Sequence, residues 1–258
     1  MTELFSKEEL IAKLKSICQR GWFKSVKKPS NAGAVGNTLE RILGVKENNL
    51  PIPNAAEWEL KAQRSNTTSL TTLFHMEPSP QAAGIVSNIL LPKYGWAHKT
   101  IKGEMSFRST TSNEYTDRGF RVVVDRQQQK VLIDFNAGKV DKTKHAGWLK
   151  SVDQKVGLGQ INPQPYWGFK DLKYKAGTKL KNTFYLLADS KREKGKELFK
   201  YEQIMMLTDY DFNKFLTCLE NGTILVDFDA RTHHNHGTKF RIKQNNWPSL
   251  YARCERIL

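Results

Sequence analysis

Cysteine, long apolar runs and acidic residues are all scarce in this 258-residue chain. Its three cysteines (Cys18, Cys218 and Cys254) are odd in number and far apart, which predicts a reducing compartment and argues against a disulfide framework or a Cys-based zinc site. No apolar run approaches the roughly 20 residues of a membrane span, and the N-terminus shows no secretory signal pattern. These absences predict a cytoplasmic protein that does not enter a membrane.

The acidic residues are outnumbered, with 26 Asp and Glu against 41 Lys and Arg, a net charge of +15. An excess of this size predicts a polyanionic partner, with nucleic acid first and an anionic membrane surface second. A merely basic protein is the alternative that charge alone leaves open. The hydrophobic fraction of 39% indicates a folded chain, long enough for one large domain or two lobes.

Helix signals are clearest near the N-terminus. Ser6 to Glu9 form a capping box ahead of apolar residues at helical spacing, which predicts a helix over 6–20. A second helix is predicted from Ala34 to a glycine stop at Gly44. Further helices are expected over 209–220 and 249–257.

Strand signals dominate the rest of the chain. Residues 58–63 predict a strand, and 70–75 its hairpin partner across a polar turn. Further strands are expected over the segments 120–124, 131–135, 184–188 and 224–229. The segment 136–182 is predicted to be rich in loops. The mixture indicates an α/β protein without the regular alternation of a doubly wound fold.

The sequence Glu59-Leu60-Lys61 places a carboxylate and an amine two residues apart. On a strand, Glu59 and Lys61 therefore point to one face. A Mg²⁺-dependent phosphodiesterase needs this pair, because the carboxylate holds the metal and the amine positions or activates the attacking water. Alone the pattern is weak, since any solvated strand face can carry it.

Four segments together carry a resemblance to a known family. They are residues 35–49, Glu59 to Lys61, 70–75, and the C-terminal 226–229 followed by 234–241. In this order and spacing they resemble the MvaI/BcnI type of restriction endonuclease and, more distantly, the MutH mismatch-repair nickases. Both are PD-(D/E)xK nucleases. The resemblance covers roughly 20–80 and 220–245, and it implies an α/β restriction-endonuclease-like core with a mixed sheet plus a recognition lobe.

The resemblance also implies an activity and its partners. It implies a monomer that cleaves double-stranded DNA at a specific sequence with Mg²⁺, cutting one strand at a time, in a bacterium with a cognate DNA methyltransferase. A repair nickase, or a DNA-binding protein with an impaired nuclease site, are the alternatives. The whole chain, 1–258, is expected to be a single nuclease domain of two lobes, with the catalytic lobe carrying 20–110 and the recognition lobe mainly within 111–245.

The family's catalytic motif implies roles for individual residues. Glu59 matches the metal-binding acid, Lys61 the catalytic lysine, and Glu40 the extra carboxylate of the MutH branch. The backbone carbonyl of Leu60 is an implied third contribution to the metal site. Asn54 falls where the family pattern has an aspartate. An amide oxygen can ligate Mg²⁺ without bringing charge, so metal affinity should fall unless Glu40 or Glu57 compensates, which we expect.

The DNA-reading residues that the resemblance implies are His75, Asp227, Asp229, Arg231, His234, Asn235, His236 and Arg241. The two arginines suit bidentate contact with guanine, and the histidines and asparagine suit hydrogen bonds to base edges. The two aspartates either accept from cytosine N4 or hold the arginines in place. As an alternative, His233, His234 and His236 are ligands for a transition metal, although no cysteine or third-ligand motif stands nearby.

Overall fold

The computed structural model of the chain describes residues 5–29, 31, 33–44, 58–65, 67 and 69–258. The α-helices of this part are α1 (Lys7–Gln19), α2 (Ala34–Leu43), α3 (Leu91–Tyr94), α4 (Lys142–Val156), α5 (Phe169–Leu180) and α6 (Phe212–Glu220). The strands are β1 (Phe23–Lys24), β2 (Glu59–Arg64), β3 (Leu70–His75), β4 (Trp96–Ala97), β5 (Met105–Thr111), β6 (Arg118–Asp125), β7 (Lys130–Val140), β8 (Tyr166–Gly168), β9 (Thr183–Glu193), β10 (Lys196–Tyr210), β11 (Ile224–Arg231), β12 (His234–Asn235), β13 (Lys239–Lys243) and β14 (Tyr251–Arg256).

The chain divides into two compact units that alternate along the sequence. The first contains the described parts of 1–71 together with 176–212 and 244–258, and the second contains 72–175 and 213–243. The expected functional lobes, 20–110 and 111–245, stay predictions, because compactness alone assigns no function to either unit. No helix in the described ranges is both long and apolar enough to cross a membrane.

The first unit is built on a mixed sheet with the order β1-β10-β9-β2, and β14 also pairs with β10. Strands β2 and β9 run parallel, with Glu59 opposite Thr183, whereas β10 is antiparallel to its neighbours. Parallel pairing places the start of β2 beside the start of β9. The sheet therefore fixes Glu59 against the residues that follow α5.

Two helices cover this sheet. Helix α1 packs against β10 and α2 against β2, and they bury Leu10, Leu14 and Leu39 against Phe184 and other strand residues. Burial of such side chains contributes roughly 1.5–3 kcal/mol each. Leu60 of β2 is part of this core and Ala62 packs against it, so that face of the strand is held by the helices.

The second unit contains a sheet with the order β3-β13-β11-β5-β4 and a smaller sheet, β6-β7-β8. Aromatic packing joins the two sheets: Phe107 of the larger sheet contacts Phe120 of the smaller one with 5.5 Å between ring centroids, edge to face. Phe107 also contacts Phe228 of its own sheet at 5.5 Å, again edge to face. Edge-to-face pairs add about 0.5–1.5 kcal/mol beyond the area that they bury. The other face of the β3-β13-β11-β5-β4 sheet, which these rings do not cover, carries charged side chains.

Several predicted elements are confirmed. Helix α1 has the predicted capping box, in which the Glu9 N–H donates to Ser6 Oγ at 3.2 Å and the Ser6 N–H donates to Glu9 Oε2 at 2.8 Å. Helix α2 ends at Gly44, which is left-handed with φ of 73°. The strand segments of 120–135, 184–188 and 224–229 form β6, β7, β9 and β11 as predicted. These elements carry strong local signals, which the tertiary structure did not override.

The predicted hairpin between 58–63 and 70–75 is wrong. Both segments are strands, but β2 pairs with β9 in the first unit, and β3 lies next to β13 in the other sheet. Apolar alternation predicts a strand without specifying its partner, and here the partners come from far along the chain. Gln63 of β2 contacts the start of β3 through its side chain: Nε2 donates to the carbonyl of Ser69 at 3.0 Å, and Oε1 accepts from Thr71 Oγ1.

Two other expectations are also wrong. The C-terminal helix over 249–257 is instead a 3₁₀ turn, Gln244–Leu250, followed by β14, whose backbone pairs with β10. Tertiary pairing with an open strand edge overrides the helical spacing there. The segment 136–182 is not rich in loops, because it contains α4 and α5. Lysines interrupt the apolar pattern of both helices, which hid them from sequence reasoning.

Candidate active site and nucleic-acid interface

Glu59 and Lys61 lie on the same side of β2 and form an ion pair. The distance between Lys61 Nζ and Glu59 Oε1 is 2.7 Å. Leu60 points the other way, into the core of the first unit. Glu59 is only 3% exposed, and a buried carboxylate is stable only where it is paired and hydrogen-bonded. The strand alternation thus builds the predicted carboxylate and amine pair, while its catalytic role stays a prediction.

A second amine approaches the same carboxylate from α5. Lys179 Nζ lies 3.9 Å from Glu59 Oε2, and its side chain is 16% exposed. Sequence reasoning missed Lys179, because it belongs to a lysine-rich helix in the segment read as loops. The parallel pairing of β2 with β9, the strand that follows α5, brings Lys179 to Glu59.

The groups next to Glu59 are polar, and the side chains of Thr183 and Tyr251 among them are buried. The Glu59 N–H donates to the carbonyl of Asn182 at 2.8 Å. Opposite Glu59, Thr183 Oγ1 lies 2.9 Å from the hydroxyl of the buried Tyr251. Burial raises the pKa of Tyr251, and the negative charge of Glu59 adds to the effect. The tyrosine hydroxyl therefore stays protonated near neutral pH and can donate to Thr183.

One oxygen of Glu59 is suited to a metal ion. Glu59 Oε2 is buried and accepts no hydrogen bond from the described residues. A buried carboxylate oxygen without a donor is unusual, and an oxygen of this kind is the ligand that Mg²⁺ prefers. The described residues contain no group of three or more His, Cys, Asp or Glu that could hold a metal. Glu59 therefore fits a Mg²⁺ site but requires further ligands.

The other groups predicted at that metal site are Asn54, Glu57, Glu40 and the Leu60 carbonyl. Asn54 and the compensating Glu57 lie outside the described residues. Glu40 is half-buried on α2, and its charge contributes to the raised pKa of Tyr201. Helix α2 packs against β2, so Glu40 belongs to the same unit as Glu59. Its role, like that of the Leu60 carbonyl, stays a prediction.

The predicted DNA-reading aspartates and arginines lie in the second unit, on one face of the sheet formed by β5, β11 and β13. Asp227 Oδ2 accepts from Arg241 Nη1 at 3.0 Å, and its Oδ1 accepts from Thr110 Oγ1 at 2.8 Å. Arg231 Nη1 donates to Glu104 Oε2 at 2.8 Å. Of the two roles considered for Asp227, the observed contacts are those of a residue that holds an arginine.

Asp229 makes the same kind of contact on the same face. It pairs with Arg108 Nε at 2.9 Å and with Lys239 Nζ at 3.0 Å. Burial alone would raise the pKa of Asp229, but the hydrogen bond from Lys239 and the positive charges of Lys239, Arg108 and His236 outweigh it and hold the pKa below its usual range. Asp229 is therefore ionised near neutral pH.

The loop after β12 is held to the end of β3. The Met76 N–H donates to the carbonyl of Thr238 at 2.9 Å, and the Thr238 N–H donates to Glu77 Oε1 at 2.7 Å. Gly237 has φ of 83°, and a Cβ there would lie 3.4 Å from the His75 ring. The structure thus brings His75 next to the predicted reading loop. Glu77, which sequence reasoning missed, anchors that loop.

His234 and Asn235 of β12, and His236 after them, are the residues predicted to read bases, and all three are exposed. His234 Nε2 lies 3.2 Å from His236 Nδ1, and Asn235 Oδ1 accepts from the Gly237 N–H at 2.9 Å. The His236 N–H donates to the carbonyl of Asp229. In the part of the chain that the structure describes, no third ligand completes a transition-metal site around this pair. The histidine edges are thus presented at the surface beside His75.

A family model and several solved structures match the chain. The model of the MvaI/BcnI restriction endonuclease family matches residues 11–251. The restriction endonuclease MvaI in complex with cognate DNA has a TM-score of 0.78 and 24% identity, covering 98% of this chain and 100% of that one. MvaI in the absence of DNA has a TM-score of 0.54 and 24% identity, covering 96% and 98%. No curated relative matches the chain in sequence.

These matches confirm the α/β, restriction-endonuclease-like fold with its mixed sheet. The family match extends over nearly the whole chain, including the middle, where the sequence resemblance was loose. The chain therefore belongs to the MvaI/BcnI restriction endonuclease family, and its activity class is that of a type II, sequence-specific DNA endonuclease.

Proposed function

We propose that the chain hydrolyses phosphodiester bonds in double-stranded DNA with Mg²⁺ at Glu59, one strand at a time, with Lys61 in contact with the attacking water. The observation that carries this proposal is the buried Glu59 carboxylate, which has Lys61 at 2.7 Å from one oxygen and no hydrogen bond from the described residues on the other. An ion pair at a solvated surface would not be buried, and its two carboxylate oxygens would not differ in this way in their partners.

In this proposal the chemistry is shared between a bound Mg²⁺ and the side chains around Glu59. A bound Mg²⁺ would supply Lewis-acid activation of water and of the phosphate. Glu59, the Leu60 carbonyl and Asn54 would hold it, with Glu40 or Glu57 adding charge. Lys61 orients the attacking water, which attacks phosphorus in line and expels the 3′ oxygen. Its ammonium also stabilises the negative charge that grows on the phosphate. Because β2 is fixed by core packing, the pair is preorganised for this task.

Sequence recognition is assigned to the second unit, where the loop and the sheet face described above present arginine, histidine and asparagine. A cognate DNA complex of MvaI matches the fold, and the net charge of +15 supplies nonspecific attraction to phosphates. His75, Arg231, Arg241 and the loop histidines would read bases, while Asp227 and Asp229 hold the cations. The functional division into catalytic and recognition lobes belongs to the same proposal.

The biological setting follows from the activity. An enzyme that cuts a short DNA sequence would destroy its host's chromosome unless that sequence is protected, so a cognate DNA methyltransferase is the expected partner. The methyltransferase would act on the chromosome and the endonuclease on incoming DNA, so we infer that the protein works in the bacterial cytoplasm. Cleavage of one strand at a time requires one active site per binding event, so a monomer suffices.

Incubation of the purified chain with supercoiled plasmid of known sequence tests the proposal. We expect nicked circles to appear before linear molecules, at fixed positions, in Mg²⁺ but not in EDTA. The order of products reports strand-by-strand cleavage, and the cut positions give the target. Binding without cleavage would support the alternative of a DNA-binding protein impaired at Asn54. Cleavage that requires an activating partner would support a repair nickase.

Glu77 offers a test of the reading loop. Replacing Glu77 with alanine removes the acceptor of the Thr238 N–H, so the loop should lose its fixed position beside His75. A charge-assisted hydrogen bond is worth roughly 1.5–3 kcal/mol, and we expect cognate affinity to fall about tenfold. Nonspecific affinity should not change. The measurement is the dissociation constant for duplexes with and without the mapped site.

Glu77→Gln is the matched control, because the amide oxygen can still accept from Thr238. It should keep most of the discrimination that Glu77→Ala loses. Equal loss of specific and nonspecific affinity in Glu77→Ala would show that the loop contacts only phosphates.

A further inference from the structure

The position of Lys179 is fixed by the fold rather than by chance at the surface. It lies in the last turn of α5, where a positive charge is favoured by the helix dipole. Its neighbour Leu180 is fully buried. Two residues later, the Asn182 carbonyl accepts from the Glu59 N–H. The end of α5 is thus tied to the start of β2, and the Lys179 ammonium is held on the Oε2 side of Glu59.

The two lysines contact Glu59 differently. Lys61 Nζ is 2.7 Å from Oε1, a hydrogen-bonding distance, whereas Lys179 Nζ is 3.9 Å from Oε2, which is an ion pair without a hydrogen bond. Lys179 therefore balances charge at Oε2 without occupying its lone pairs. One carboxylate lies between two ammonium groups here, whatever charge Glu40 or Glu57 adds to the wider site. The Lys179 ammonium, at 3.9 Å, attracts an anionic phosphate and repels a divalent cation at Oε2.

We propose that Lys179 is a second functional lysine of this site, which contacts the scissile phosphate and, until DNA is bound, opposes metal binding at Glu59. When the phosphate enters, its negative charge neutralises the ammonium, and the same Oε2 becomes favourable for the metal. DNA and metal affinities are thereby coupled through Lys179, and the coupling is reciprocal. The enzyme would hold little metal unless DNA is in place. This inference rests on the proposed function of Glu59.

The test compares variants by metal binding and by cleavage. Mn²⁺, as a probe for Mg²⁺, is titrated calorimetrically into the DNA-free protein. We expect Lys179→Gln to bind Mn²⁺ about tenfold more tightly than the parent chain, since one repulsive charge is gone. At saturating Mg²⁺, single-turnover cleavage of bound DNA by Lys179→Gln should be slower by on the order of 10²-fold, because a cation at the phosphate is lost.

Two further variants keep the result interpretable. Lys179→Arg retains the positive charge and should retain the weak Mn²⁺ binding of the parent chain. Lys173→Gln removes an exposed lysine from the same helix, and it should change neither quantity. Thermal unfolding of each variant verifies that the fold is kept.

The proposal is overturned if folded Lys179→Gln binds Mn²⁺ no more tightly than the parent chain, or if it cleaves at the parental rate. Failure of the parent chain to cleave plasmid DNA would overturn the proposed function instead. The Mn²⁺ titration distinguishes these cases, because it is carried out without DNA and reads the charge of Lys179 directly.

Discussion

Replacing Lys61 with alanine is expected to lower Mg²⁺-dependent cleavage by on the order of 10³-fold, because positioned proton-transfer and charge-stabilising groups typically contribute 10²–10⁴-fold. Glu59→Ala should have at least as large an effect, since it removes the carboxylate that would hold the metal. DNA affinity should be almost unchanged, because the proposed recognition residues belong to the other unit. Single-turnover cleavage and binding in Ca²⁺, measured on the same duplex, separate the two effects.

Because Glu59 is buried, replacing it or Lys61 can destabilise the fold, so each variant needs a stability control. Removing Lys61 leaves the buried Glu59 with only the 3.9 Å ion pair to Lys179, and an incompletely paired buried charge destabilises a protein by several kcal/mol. Thermal unfolding must therefore accompany each assay. Glu59→Gln keeps the shape of the side chain and one acceptor oxygen while removing the charge, so its loss of cleavage is not attributable to packing. A folded Lys61→Ala or Glu59→Gln variant that cleaves at the parental rate would show that the active site lies elsewhere.

The local parts of this site were predictable, whereas its assembly was not. Alternation along a strand was enough to place Glu59 and Lys61 on one face, since the period of two is a property of the backbone. The pairing of β2 with β9, which brings Lys179 to Glu59, depends on contacts between distant segments. Period-two patterns specify such contacts only weakly.

Helix α5 shows why Lys179 escaped detection. Its buried residues, Leu172, Ala176 and Leu180, recur every four positions. The small alanine and the surrounding lysines weaken the apolar signal, so the helix reads as a solvated segment. If the helix is not predicted, nothing in the sequence indicates that one of its lysines lies near Glu59. Glu77 escaped for a related reason, because an anchor for a loop acts through a backbone N–H that the sequence does not mark.

The recognition face shows the opposite case. Asp227, Asp229 and Arg231 are spaced by two along a strand, so sequence alone indicates a shared face. It could not decide whether the aspartates read bases or hold arginines. The structure pairs Asp227 with Arg241, and Asp229 with Arg108 and Lys239. Each aspartate is thus already paired with a cation of the same sheet face, which favours the holding role.

Arg241→Ala is the second variant for which a large effect is expected. A bidentate arginine contact with guanine is worth roughly 1–3 kcal/mol of discrimination, so cognate affinity should fall by about 5–150-fold. Nonspecific affinity should fall much less. His236→Ala should act in the same direction but more mildly, since imidazole forms a single hydrogen bond to a base edge. Dissociation constants for cognate and nonspecific duplexes at one salt concentration give the ratio.

Arg126→Ala is the matched control for Arg241→Ala. Arg126 is also an ion-paired arginine of the second unit, with Nε at 2.6 Å from Glu220 Oε1, but it lies at the β6–β7 turn, outside the proposed reading surface. It should leave the specificity ratio unchanged. If Arg241→Ala and Arg126→Ala reduce both affinities equally, the two arginines contribute only to general attraction for DNA.

The ion pair between Asp227 and Arg241 makes the prediction sharper. If Asp227 acts by holding Arg241 at 3.0 Å, then Asp227→Asn should reduce cognate affinity only while Arg241 is present. In a double-mutant cycle, the loss caused by Asp227→Asn should therefore disappear in the Arg241→Ala background, because residues of one ion pair are not additive. If the aspartate instead accepts from cytosine N4, the two losses should add. Additivity in folded variants would reassign Asp227 from a holding residue to a base-reading one.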